Sequence, residues 1–156
     1  MIDIPPKIRV RATIKPGSVY YFPEETIDSS GAHYFIVLNT NPQTDTVLIL
    51  VCASSKINKV RKRRRTCPRK TLIEITSKQY SGFSRDSIID CNRIIEKTTE
   101  QLIDKLSKGK LRMEVEMDLL LVNQIIEGVM QSPLIELRVK KMLQGAVSQT
   151  GKAIKP

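Results

Sequence analysis

Two apolar runs, Tyr34-Phe35-Ile36-Val37-Leu38 and Val47 to Ala53, constrain the fold of this chain more than any other feature. Both are too short for a buried helix. Their β-branched and aromatic content is that of strands covered on both faces. Asn39 to Asp45 between them is dense in turn formers, so they read as two separate strands. Further strand-like segments surround them. Val10 to Ile14 alternates, Lys15-Pro16-Gly17 signals a turn, and Ser18-Val19-Tyr20-Tyr21-Phe22 follows. Pro23 to Gly31 is polar and loop-like; Thr71-Leu72-Ile73-Glu74-Ile75 alternates; Ser87 to Cys91 and Arg93 to Ile95 are the last candidates. Short strands at even spacing, with no helix between them, predict an antiparallel barrel or compact sheet.

The final third changes period. Thr98-Thr99-Glu100-Gln101 opens a capped helix with Leu102, Ile103 and Leu106, closed near Gly109,. From Val115 onward, Leu119, Val122, Ile125, Ile126 and Val129 form a helical stripe,. Ser132-Pro133 supplies a further helix start. The expected class is α+β, mainly β with C-terminal helices. The division is an N-terminal extension (1–14), one domain (15–145) and a flexible tail (146–156).

Charge is concentrated in one place. The chain has 26 Lys+Arg and 16 Asp+Glu, a formal net charge of +10. Nine basic residues and no acidic one lie between Lys56 and Lys70; without them 17 cationic residues face 16 anionic. Such a block repels itself, so a solvated, mobile loop is expected, reaching for an anion such as a nucleic-acid backbone. With aromatics at 4% and no Trp, a base-stacking platform is poorly supplied,. No apolar run is long enough to span a bilayer, and the first residues lack a secretion pattern. Three cysteines without CxxC spacing (Cys52, Cys67, Cys91) argue against a disulfide framework or a structural zinc,. No metal or other cofactor is expected, and the cytoplasm is the expected compartment.

The order of segments resembles the PemK/MazF/Kid toxin family over roughly residues 15 to 130. Lys15 to Phe22 is similar to its opening strand, His33 to Asn39 to its Arg-Pro-hydrophobic run, and Leu50 to Ser55 to its strand ending in Pro-x-Thr-Ser/Thr. Ser87 to Ile94 resembles its Ser-Val-x-x-Cys/Ala-Asp-Gln strand, and Leu106 to Leu111 the stretch before its C-terminal helix. The resemblance implies an SH3-like barrel, a homodimer, metal-independent cleavage of single-stranded RNA, and an acidic antitoxin partner. It also implies site positions: the family's catalytic Arg falls on His33, its catalytic Thr or Ser on Ser54, and its Asp-Gln pair on Asn92-Arg93. The gyrase-poisoning branch of the same superfamily uses a C-terminal Trp, which this chain lacks.

Cleaving RNA without a metal requires a base for the 2′-hydroxyl, an acid for the leaving oxygen, and donors for the phosphoryl charge. His33, the only histidine, suits the proton transfers,. Ser54 and Ser55 are candidate phosphate donors, and Arg93 supplies the bidentate clamp. Asp90, Glu24 and Glu25 are weaker acid/base candidates, and Cys52 and Cys91 read as core filling. Arg61, Lys62, Arg63, Arg64, Arg65 and Asn92 are expected to hold RNA. Two functions stay open: an endoribonuclease, or a non-catalytic nucleic-acid-binding or protein-interaction module on the same barrel.

Overall fold

In the computed structural model, residues 4–27 and 31–144 are described. Six strands form one antiparallel sheet: β1 (Val19–Pro23), β2 (Ala32–Val37), β3 (Leu48–Ser54), β4 (Leu72–Ile75), β5 (Ser87–Lys97) and β6 (Arg112–Glu114). Their spatial order is β4-β5-β3-β2-β1-β6. The sheet is open: among the described residues β4 pairs only with β5, and β6 only with β1. Helices α1 (Pro6–Thr13), α2 (Ile57–Arg63), α3 (Thr99–Ser107) and α4 (Leu119–Gln131) surround it, with a 3-10 turn at Arg69–Thr71 and a further helical stretch at 137–144. No helix of the described residues is long and apolar enough to cross a membrane.

The fold is α+β, as expected, but two local readings are corrected. Val10 to Ile14 is not a strand. Pro6 sits in the first turn of α1, where its missing N–H costs nothing,. Val10 and Ile14, four residues apart, then share one face and are both buried,. The Lys56 to Lys70 block is not a mobile loop either. It folds as α2 and the 3-10 turn, anchored by the buried Val60 and by carboxylates on the sheet. So helices α2 and α3 do interrupt the run of strands.

Alternation along the strands builds two cores. One face carries Val19, Ile36, Ile49, Val51, Ile73 and Ile89, and is covered by Val122, Ile125, Ile126 and Val129 of α4. The other carries Tyr20, Phe22, Phe35, Val37, Leu48 and Leu50, closed over by Ile14 and Leu102. Close approach of α4 requires Gly128, since a Cβ there would lie 2.7 Å from Cys91 Sγ and 2.9 Å from the Lys70 carbonyl oxygen. Helix α3 has the predicted capping box: Gln101 N donates to Thr98 Oγ1 at 3.1 Å and Thr98 N to Gln101 Oε1 at 2.8 Å. Ser132 Oγ accepts from Leu134 N at 3.1 Å, so it caps a turn ahead of 137–144.

One irregularity places the site. Val51 pairs with Ile94 and Ala53 with Ile89, so β5 carries extra residues there. This bulge is why Ser87 to Cys91 and Arg93 to Ile95 look like two segments in sequence yet form one strand. Bulges re-aim side chains, and this one holds Asp90, Asn92 and Arg93.

Candidate functional site

His33, Cys52 and Ser54 belong to the sheet face of the second core. They continue the rows of Phe35 and Val37 on β2 and of Leu48 and Leu50 on β3,. Tyr34 pairs with Ala53; His33 precedes that pair on β2 and Ser54 follows it on β3, on the same face. At this end of the face the cover is not an apolar helix but α2.

Between α2 and the sheet lies a cavity of about 160 Å³. The three residues given catalytic roles in the sequence, His33, Ser54 and Arg93, all line it. Asp90, Cys52 and Ile27 complete its floor and side, while Lys56, Lys59, Val60 and Arg63 come from α2 and its approach. Four cationic side chains therefore face one carboxylate, leaving the cavity with a formal excess of three positive charges.

The side chains are differently committed. His33 Nε2 is buried and has no hydrogen-bond partner among the described residues. Burial, and secondarily the Lys56 ammonium, hold the imidazole pKa below its usual 6.5, so His33 is neutral at pH 7,. Ser54 Oγ accepts from Lys56 N at 3.1 Å, which leaves its own proton to donate,. Arg93 Nη2 donates to the Thr26 carbonyl oxygen, fixing the guanidinium at the cavity edge. Asp90 Oδ2 accepts from Arg64 Nε at 2.9 Å and faces Arg63 Nη2 at 3.8 Å, so the carboxylate ties α2 down. Burial, followed by the nearby Asp90 charge, pushes the Cys52 thiol up to about 12, so it is no nucleophile at neutral pH,.

Other expected site residues lie elsewhere. Ser55 is exposed and does not line the cavity. Arg61, Arg64 and Arg65 line a separate groove beside β4, and Lys62 lies on the outer side of α2. Asn92 is buried within the fold. Its Nδ2 donates to Thr71 Oγ1 at 2.9 Å and Asp90 Oδ1 at 3.1 Å, and its Oδ1 accepts from Ser132 Oγ at 2.7 Å. Glu24 is paired with Lys97 and Thr26; neither it nor Glu25 reaches the cavity. The charge pattern alone places Lys56, Lys59 and Arg63 in a loop; the helix that carries Lys59 and Arg63 over the cavity is anchored by the single buried Val60. Among the described residues no three His, Cys, Asp or Glu side chains are grouped as a metal site would need.

Compared with known proteins, the chain matches no family model and no curated protein sequence.

Proposed function

We propose that the cavity beneath α2 binds single-stranded RNA and cleaves it with the chain's own side chains, in the manner of a divergent PemK/MazF-like endoribonuclease. One observation carries this reading: His33, Ser54 and Arg93 line a single cavity roofed by cations. The neutral imidazole takes the proton of a ribose 2′-hydroxyl, whose oxygen attacks the adjacent phosphorus. Arg93 and Ser54 donate to the phosphoryl oxygens as charge builds there. The bond to the 5′ oxygen breaks, and that oxygen takes a proton from a rim lysine, Lys56 or Lys59. The products carry a 2′,3′-cyclic phosphate and a 5′-hydroxyl. The barrel resemblance has its own support. Tyr80, after β4, donates its hydroxyl proton to the carbonyl oxygen of Val115, after β6, so segments following the two sheet ends meet.

The test is incubation of purified protein with mixed single-stranded RNA in EDTA. Fragments with 2′,3′-cyclic phosphate ends are expected, and His33→Ala should slow their formation by about 10²–10⁴-fold. RNA left intact by folded protein would overturn cleavage. One observation favours a second reading in that case: His33 Nε2 is buried, which suits a neutral wall of a phosphate-binding, non-catalytic module.

A further inference from the structure

Val60 is the buried residue of α2, and the 3.6-residue period distributes the charges around it. Lys59 and Arg63 fall on the flank above the His33 cavity. Arg61 and Arg64 fall on the opposite flank. That second flank overlooks a larger cavity, about 590 Å³, between α2 and the edge strand β4. Arg61, Arg64, Arg65 and Arg69 line it, against one carboxylate, Glu74. Arg61 pairs with Glu74 and Arg64 with Asp90. Arg65 and Arg69 have no ion-pair or side-chain hydrogen-bond partner among the described residues, and both are exposed. A shallower hollow lies between the two cavities: it shares Lys59 and Arg63 with the first and Arg65 with the second.

We propose that this arginine-lined cavity is a distinct phosphate subsite, holding one part of an RNA strand while another part occupies the His33 cavity, so that the substrate straddles α2. The inference rests on the RNA reading of the first cavity. Unpaired arginines in a concave site concentrate positive potential, and their planar forks match phosphate. The volume is large for one inorganic phosphate. The cationic lining continues over α2 from one cavity to the other, as a polyanionic strand requires. With its side chains α2 is about 10–12 Å across, so several nucleotides are needed to engage both flanks. Substrates should therefore be oligonucleotides, with dinucleotides poor.

Fluorescence anisotropy in EDTA tests this, with labelled RNA of 3 and 12 nucleotides and His33→Ala protein to prevent turnover. Adding Arg65→Ser and Arg69→Ser, which break no observed contact, should weaken 12-mer binding at least tenfold. The slope of log affinity against log salt should become shallower by about 1.4, the single-strand value for two phosphates, while trimer binding stays the same. Unchanged 12-mer affinity and slope would overturn the subsite. So would an equal proportional loss for the trimer, which would indicate bulk charge alone. A 12-residue polyglutamate that binds as tightly as the 12-mer, and loses as much in the variant, would reassign the groove to an acidic protein segment. If the 12-mer result holds but wild-type protein cuts no RNA, the subsite stands and cleavage falls.

Discussion

Arg64 Nε and Asp90 Oδ2 stand 2.9 Å apart, and this ion pair fastens the most basic helix of the chain to the bulge of β5. The side chains are 18% and 8% exposed, so removing one partner strands a charge away from water. Asp90→Ala should cost about 3 kcal/mol of unfolding free energy. The pair between Arg61 of α2 and Glu74 of β4 is half in solvent on both sides, and Arg61→Ala should cost under about 1 kcal/mol. Urea denaturation of the two variants measures the difference. Equal losses would mean that Asp90 does not anchor α2.

His33 should show a depressed titration. Its imidazole lies below 6.5 in the folded chain because of burial first and the Lys56 charge second. The neutral base therefore persists to lower pH than in a free imidazole, and the acid-side decline of kcat/KM for RNA should have its midpoint below pH 6.5. Lys56→Met removes the repelling charge and should move the acid limb to higher pH. The same sign governs stability. The unfolded chain takes up the proton first, so this contribution is whole above pH 6.5 and is lost as pH falls through the folded value. Proton NMR of the single imidazole reads the shift independently of turnover; a His33 pKa at or above 6.5 would contradict the burial argument.

Asn92 should behave as a structural residue. Its amide joins β5 to Thr71 in the 3-10 turn and to Ser132 after α4, two side chains that are themselves fully buried. Asn92→Ala leaves both hydroxyls short of a partner and should lower stability by about 2–3 kcal/mol. RNA affinity per folded molecule should be unchanged, as anisotropy at a temperature below the transition will reveal. A selective loss of affinity with wild-type stability would return Asn92 to the binding surface.

Much of the sheet was legible because apolar runs and turn formers coincide at Tyr34 to Leu38, Val47 to Ala53 and Thr71 to Ile75. Helix α3 was legible through Thr98 and Gln101 at its start. Helix α1 was not, because Lys7, Arg9 and Arg11 alternate with Ile8 and Val10 and so imitate a strand. Helix α2 was hidden for a different reason: Ile57 and Val60 are its apolar residues, too few to expose a period amid the charge. Pleat alternation puts His33 and Ser54 on one face. No sequence signal marks the bulge in β5, and that bulge decides why Arg93 reaches the cavity while its neighbour Asn92 is consumed inside.

The outer margin of β4 has a consequence of its own. Its main-chain amides and carbonyls on that side find no strand among the described residues, an invitation for a second copy to extend the sheet. Arg65 and Arg69 stand exposed beside it, and like charge on two copies should oppose that pairing. Whatever anion discharges that fence also unlocks it, so self-association should begin where the positive charge is quenched.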